Sequence, residues 1–154
     1  MAVDADLQNI LDMIKEAGRL PYRDVPVAEA RAGYQAMVQL LDPKEEPIHR
    51  TQDRTIPGPA GDIPIRVYWP RDLADGETLG VLVFLHGGGF VIGDLDTHDP
   101  LCRRLCNRGN CIVVSVDYRL APEHPFPASG EDCIAAMRWC ATNAAELGGD
   151  SQRL

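Results

Sequence analysis

The chain has 154 residues, of which 45% are hydrophobic and 25% are charged, a mixture typical of one soluble globular domain. Its 23 acidic and 15 basic side chains give a formal net charge of -8, and because such a surface repels phosphate backbones, nucleic acid is not expected as a partner. The longest apolar stretch, Val81–Leu85, falls far short of the roughly 20 residues that cross a bilayer, so no membrane span is expected.

The N-terminus and the cysteines predict a cytoplasmic location. Asp4 and Asp6 stand where a secretory signal has its basic region. Five cysteines, an odd number in a chain without such a signal, favour reduced thiols over a disulfide framework. Cys111, at the start of an apolar run, and Cys140, on an apolar helix, fit the usual role of free cysteine as a small buried hydrophobic residue.

Two amphipathic helices come first and are predicted to form a helical cap over residues 1–45. In the first helix the apolar residues recur at helical spacing: Leu7, Ile10, Leu11 and Ile14. Gly18 and Pro21 follow and are expected to end this helix. A second apolar stripe contains Ala30, Tyr34, Met37, Val38 and Leu41 and is ended by Asp42-Pro43. The short connection between the helices indicates a flap rather than a separate domain.

Residues 46–154 are predicted to form the N-terminal part of an α/β core, which begins with a hairpin. Thr51–Ile56 and Ile63–Trp69 are predicted as strands, because a proline- and glycine-rich turn separates them. In the second strand apolar and other residues alternate, which predicts one solvent-exposed face. Pro64 favours an edge strand, since proline has no N–H for a second neighbour.

The remaining elements alternate between strand and helix. Val81–Leu85 is continuously apolar, as expected of a parallel strand covered on both faces. A helix over Thr97–Asn107, with Asp96 or Thr97 as its cap, leads to a second buried strand at Cys111–Val116, and Ala128–Ala145 is the next helix. This order implies a right-handed crossover in an α/β sheet.

Three consecutive glycines follow the first apolar strand, in the sequence His86-Gly87-Gly88-Gly89-Phe90. Such a run is costly in conformational entropy, and one use for it is a loop whose backbone N–H groups approach a ligand without an intervening Cβ. Two such donors aimed at a developing oxyanion form an oxyanion hole. A flexible turn is the simpler alternative, but ligands of open α/β sheets bind at this end of the strands.

Three blocks, residues 86–89, 93–98 and 117–128, resemble the hormone-sensitive-lipase family of bacterial esterases. The first block is the glycine motif of the oxyanion loop in α/β-hydrolase lipases and esterases. The resemblance extends over essentially the whole chain, and the N-terminal helices are similar to the family's cap. It implies the N-terminal half of an α/β-hydrolase sheet with a helical cap, which ends before the nucleophile elbow.

The resemblance also implies roles for individual residues. Gly88 and Gly89 match the two oxyanion N–H donors, and His86 and Gly87 shape the oxyanion loop. Substrate-pocket positions are implied for Phe90, Asp94 and Tyr118. Structural hydrogen bonds are expected from Arg119, Glu123 and His124.

The serine nucleophile of this fold stands on a G-x-S-x-G elbow, and no such motif occurs in the 154 residues. Ser151 is not expected to serve, because Arg153 replaces the last glycine and residues 150–154 resemble the approach to the family's fifth strand. We therefore expect a carboxylic ester hydrolase for short to medium acyl esters whose Ser/Asp/His triad lies beyond Leu154. This chain alone would be inactive, would need no cofactor and no metal, and would associate with the C-terminal half of the hydrolase or with itself.

Two other functions remain open at the level of sequence. One is a non-catalytic small-ligand-binding remnant of the same fold, since gibberellin receptors resemble this family and hold a small carboxylate under their cap. The other is a metal site built from His98, Cys102, Cys106 and Cys111. Against a metal site, the cysteines also fit a packed helix face, and paired C-x₂-C motifs are absent.

Overall fold

The computed structural model describes residues 3–18, 20–41 and 46–154. Helices α1 and α2 span Ala5–Glu16 and Val27–Leu41, with a 3₁₀ turn at Tyr22–Asp24. The strands are β1, Arg50–Gly58; β2, Gly61–Trp69; β3, Val81–Leu85; and β4, Ile112–Val116. Helices α3 and α4 span Asp99–Gly109 and Ala128–Asn143, and a second 3₁₀ turn follows at Ala144–Leu147. The predicted helix stop at Asp42-Pro43 and the cap boundary at residue 45 lie outside the described residues.

The four strands form one mixed sheet in the order β1-β2-β4-β3. The β1–β2 hairpin is antiparallel, and β2 pairs with β4 in the same sense. Strands β3 and β4 are parallel, in register from Val81↔Ile112 to Leu85↔Val116, with α3 connecting them. The α/β fold class predicted from the alternating pattern is confirmed.

Helices cover both faces of the sheet around β4, all five residues of which are buried. On one face α4 contributes Ala136 and Cys140 to a core with Val67 and Val114. On the other face α3 contributes Cys102 and Cys106 to a smaller core. In the described part of the chain, no helix is both long enough and apolar enough to cross a bilayer.

The hairpin lies at the sheet edge, as predicted, but two expectations about its second strand are wrong. Pro64 is on β2, which lies between β1 and β4 rather than at the edge. Proline is tolerated there because the β2–β4 ladder ends at Ile65↔Val116, and Pro64 only accepts a hydrogen bond from Asp117 N at 3.0 Å. The strand also has no continuous wet face, since Tyr68 is fully buried against the α3 core.

Both helix predictions in the core need correction at their ends. Helix α3 begins at Asp99, and its N-cap is His98, without a side-chain capping bond, rather than Asp96 or Thr97. Thr97 is instead held in a turn with Asp94. Helix α4 ends at Asn143, because residues 144–147 tighten into the 3₁₀ turn.

Strand β3 is less covered than its apolar sequence predicts, since Leu85 is 39% exposed. Residues 148–153 lie beside only its first residues, where Val81 N donates to Arg153 O at 2.9 Å. Successive residues of a strand direct their backbone groups to opposite edges, so those of Val83 and Leu85 face the same side as Val81. Beyond Val81, that edge has no strand partner within the described residues.

Candidate active site

The glycine loop begins directly after the C-terminal end of β3, and a buried histidine anchors it. His86 is 4% exposed and stacks on Tyr118, with 4.3 Å between ring centroids. The Tyr118 hydroxyl donates a hydrogen bond to the His86 carbonyl. Nδ1 of His86 lies 2.8 Å from the Gly87 carbonyl, which can only accept, so this nitrogen carries the proton. The base of the loop is therefore fixed on one side by its direct connection to β3 and on the other by Tyr118, in the segment after β4.

Gly88 is in a position that only glycine can occupy. Its φ is +133°, and a Cβ there would lie 1.9 Å from the Ile92 carbonyl oxygen. The close approach arises because the Gly88 carbonyl accepts hydrogen bonds from both Val91 N and Ile92 N at 3.1 Å. Gly89 has φ +60° and open space beside its Cα. Within the part of the chain that the structure describes, the amides of Gly88 and Gly89 donate no hydrogen bond.

Phe90 ends the glycine run in a left-handed conformation, with φ +62°, which is uncommon for a residue with a side chain. Its carbonyl accepts a hydrogen bond from Ala121 N at 2.8 Å, and its ring is 60% exposed. Of the three predicted pocket residues, Phe90 thus presents its side chain to solvent beside the loop.

Asp94, the second predicted pocket residue, has both carboxylate oxygens engaged. Oδ1 accepts from Thr97 N at 2.7 Å, and Oδ2 accepts from Nε2 of Gln35, on α2, at 2.7 Å. Burial alone would raise the pKa of Asp94, but these hydrogen bonds outweigh it and lower the pKa below its ordinary value. The carboxylate therefore fastens the turn after the glycine loop to the cap.

His98 connects the same turn to the cap through its ring. The ring stacks on His86 with 5.3 Å between centroids, and Nε2 lies 3.4 Å from the hydroxyl of Tyr34 on α2. Burial, and then the charge that His86 can carry, lower the pKa of His98. Neutral imidazole is thus favoured at this contact.

Arg31, also on α2, makes the most extensive contact between cap and core. Its Nε donates to the Val91 carbonyl at 2.9 Å and its Nη2 to the Ala121 carbonyl at 3.1 Å. The same guanidinium pairs with both carboxylate oxygens of Glu123 at 2.9 and 2.7 Å. This hydrogen bonding lowers the pKa of Glu123 to about 2.

The segment after β4 is held to α4 by a charged pair. Arg119 donates from its backbone N, Nε and Nη2 to the carboxylate of Asp132, which is 1% exposed. Arg119 and Glu123 thus make structural hydrogen bonds of the kind that the resemblance implies. His124 contributes through its backbone, which donates to Leu120 O at 2.9 Å. Burial raises the pKa of Asp117, at the start of this segment.

Comparison with known proteins shows which family this sequence matches. Residues 82–154 match the family model of the α/β-hydrolase fold. Esterase LipI of Mycobacterium tuberculosis is 44% identical over 157 residues, which is 99% of this chain and 46% of that protein. Carboxylesterase NlhH of the same organism is 46% identical over 155 residues, 97% of this chain and 46% of its own length.

A solved structure gives the same result. The hyperthermophilic esterase from the archaeon Pyrobaculum calidifontis superimposes with a TM-score of 0.90 at 44% identity, over 99% of this chain and 48% of its own. The chain belongs to the hormone-sensitive-lipase family of α/β-hydrolases. It spans about half the length of the relatives that it matches.

The contacts that join cap and core in this α/β-hydrolase are not predictable from the sequence patterns. Arg31, Tyr34 and Gln35 share one face of α2, and each reaches a residue between 91 and 123. The sequence does contain a partial signal, because the polar residues Arg31 and Gln35 stand one helical turn apart beside the apolar stripe that contains Tyr34. Their partners, however, are at least 59 residues away in the chain.

The cysteines of this α/β-hydrolase belong to its core. Burial raises the pKa of Cys102 to about 11 and that of Cys106 to about 12. Among residues 3–18, 20–41 and 46–154, no group of three or more His, Cys, Asp or Glu side chains could hold a metal ion. The zinc alternative therefore gains no support from the placement of His98 and the cysteines.

An apolar cavity of about 400 Å³ lies between α1 and α2. Its lining falls wholly within the cap, from Ile10 to Leu41, and includes Met13, Tyr22 and Met37. Helix α1 has no buried residue, so its apolar stripe faces this cavity or solvent. The prediction that each cap helix has one apolar face agrees with this arrangement.

Proposed function

We propose that the protein containing this chain hydrolyses carboxylic esters by an acyl-serine mechanism. The chain supplies the oxyanion loop and part of the cap, and the Ser/Asp/His triad comes from sequence beyond Leu154. The observation that carries the proposal is the Gly88 backbone, which is packed too tightly on Ile92 for any side chain. Among the described residues, the amides of Gly88 and Gly89 donate to no other group, so they are available to a ligand. Phe90, next to these glycines, has a left-handed backbone, and uncommon backbone conformations of this kind cluster at active sites.

In this mechanism the serine hydroxyl attacks the ester carbonyl carbon while the triad histidine takes its proton. The carbonyl oxygen becomes negatively charged, and the amides of Gly88 and Gly89 donate hydrogen bonds to it. The loss of one such donor typically slows the reaction by about 10²–10³. His86 and Gly87 contribute by shaping the loop, and the alcohol leaves after it receives the proton from the histidine. A water molecule, deprotonated by the same histidine, then attacks the acyl-serine, and the carboxylic acid leaves as the serine regains its proton.

For the substrate, we propose short to medium acyl esters of small alcohols or phenols. The exposed ring of Phe90 offers an apolar surface beside the loop. Tyr118 binds the His86 carbonyl at the base of the loop, and Asp94 holds the turn of residues 94–97 that follows it. The residues assigned to the reaction need no metal or organic cofactor.

We also propose that residues 1–154 alone are inactive and require a partner. The backbone groups of Val83 and Leu85 face an edge that lacks a strand within the described residues, and such an edge favours association. The partner would be the C-terminal half of the hydrolase or a second copy. Sedimentation of residues 1–154 tests this idea, and a monodisperse 16.9 kDa monomer that melts cooperatively would refute it.

Turnover of p-nitrophenyl esters by the purified full-length protein tests the main proposal. Burst release of p-nitrophenol followed by steady turnover is expected, because an acyl-enzyme accumulates. Rates equal to those in buffer would instead favour the ligand-binding alternative. Replacement of the serine in a G-x-S-x-G elbow by alanine is the matched control, and it should abolish the burst.

A further inference from the structure

Arg31 contacts two core loops at once, and both of them adjoin the glycine loop. Its Nε bonds to the carbonyl of Val91, and Val91 N donates to the Gly88 carbonyl. Its Nη2 bonds to the carbonyl of Ala121, and Ala121 N donates to the Phe90 carbonyl. The guanidinium thus closes a ring of hydrogen bonds that runs through residues 88–91 and Ala121.

The planar guanidinium suits this position better than a simple cation would. Its donors are fixed in one plane, so a single group can set the relative positions of two carbonyls and one carboxylate. Glu123 bonds to Nη1 and Nη2 of the same guanidinium, and within the described residues its side chain makes no hydrogen bond to the glycine loop itself. The Arg31 side chain is 32% exposed, so solvent screens these bonds only in part.

We propose that Arg31 is a positioning residue for ester hydrolysis, which fixes the backbone of residues 88–91 from the cap so that the Gly88 and Gly89 amides point at the reacting carbonyl. This inference rests on the proposed function. Arg31 does not touch the reacting atoms; it acts through the Val91 and Ala121 carbonyls.

Two further contacts of α2 make it possible to distinguish positioning of the glycine loop by Arg31 from simple attachment of the cap. Gln35 bonds to Asp94 at 2.7 Å, and the Tyr34 hydroxyl lies 3.4 Å from His98. We expect these contacts to remain when Arg31 is replaced, so that α2 stays anchored while the glycine loop loses its support. Replacement of Glu123 affects the other set of contacts, because it removes the ion pair with Arg31 but leaves the bonds from Arg31 to the Val91 and Ala121 carbonyls.

The test compares Arg31→Ala, Arg31→Lys and Glu123→Ala in the full-length protein. For Arg31→Ala we expect kcat to fall about 10- to 100-fold, since misplacement by about 1 Å can cost about 10²-fold. KM should change little, because the lost interaction acts in the transition state. Arg31→Lys should stay closer to Arg31→Ala than to the parent, since one ammonium cannot bridge both carbonyls. Glu123→Ala should keep kcat within about threefold of the parent, because Arg31 keeps its bonds to the Val91 and Ala121 carbonyls.

Amide hydrogen exchange provides a readout that does not depend on activity. Val91 N–H and Ile92 N–H, both bonded to the Gly88 carbonyl, should exchange faster in Arg31→Ala and not in Glu123→Ala. If Arg31→Ala and Glu123→Ala lower kcat equally, or if exchange at Val91 and Ile92 is unchanged in Arg31→Ala, the inference is wrong. If the parent protein does not hydrolyse esters, the proposed function fails, while the exchange data still decide whether Arg31 holds the loop.

Discussion

Replacement of Gly88 by alanine tests the glycine loop most severely. The new Cβ would lie 1.9 Å from the Ile92 carbonyl oxygen, about 1.5 Å short of the 3.4 Å at which ordinary contacts begin. The obstacle is backbone, so either the Gly88–Ile92 turn opens or the loop shifts. In addition, φ +133° is a conformation that costs other residues about 1–3 kcal/mol.

Such a shift would take the Gly88 and Gly89 amides away from the distance of about 2.7–3.1 Å at which they can stabilise an oxyanion. We expect kcat of the full-length Gly88→Ala variant on a p-nitrophenyl ester to fall about 10²–10³-fold, equivalent to about 2.7–4 kcal/mol of transition-state stabilisation. Denaturant unfolding of the same variant should show a loss of at least about 1–3 kcal/mol, which is the cost of the backbone conformation alone.

Gly130→Ala is the matched control for this change. Gly130 lies in the first turn of α4, and nothing is within 4 Å of the position of its Cβ. Alanine there should leave kcat unchanged and raise stability by up to about 1 kcal/mol. A folded Gly88→Ala variant with the kcat of the parent would refute the reasoning, because the loop would then tolerate a side chain where the structure leaves no space.

Three further predictions concern the core and the cap contact. Tyr68→Phe removes the buried hydroxyl that donates to Asp99 at 2.9 Å, so the free energy of unfolding should fall by about 1–3 kcal/mol; an unchanged urea midpoint would contradict this. Burial and then the charge of His86 lower the pKa of His98 below 6.5, so the unfolded chain binds the proton more tightly and the stabilisation from neutral His98 is complete above pH 6.5 and lost as the pH falls. His98→Asn should therefore flatten the dependence of unfolding free energy on pH below 6.5, whereas identical profiles for variant and parent would count against this prediction. The raised pKa values of Cys102 and Cys106, about 11 and about 12, predict that iodoacetamide at about pH 8 labels them only after denaturation, so rapid labelling of the native protein would be inconsistent with the structure.

The strands and the glycine loop are predictable from the sequence because their signals are local. Val81–Leu85 matches β3 residue for residue, and Ile112–Val116 differs from its prediction only by Cys111. An apolar, β-branched run fits few structures other than a buried strand. Likewise, three consecutive glycines indicate an unusual backbone conformation by themselves, because no other residue adopts such conformations at so little cost.

The errors occur where distant residues decide the outcome. Strand alternation predicts a wet face for Tyr68, yet Asp99 supplies a buried partner for its hydroxyl, so the ring can enter the core. Threonine is a residue type favoured at N-caps. Thr97 is nevertheless bound in a turn by Asp94, and the helix starts two residues later. The partners of Arg31 are not predictable from its neighbours in the sequence, because its four acceptor atoms lie on loops that only the folded sheet brings to α2.

The most direct measurement is a structure of the full-length protein inhibited by a phosphonate ester, whose tetrahedral phosphorus mimics the intermediate of ester hydrolysis. We expect a phosphonyl oxygen within about 2.7–3.1 Å of both the Gly88 and the Gly89 backbone nitrogen. If the inhibitor's oxygen is instead held by other donors while these two amides remain turned away from it, the glycine loop is not the oxyanion site and the account is wrong.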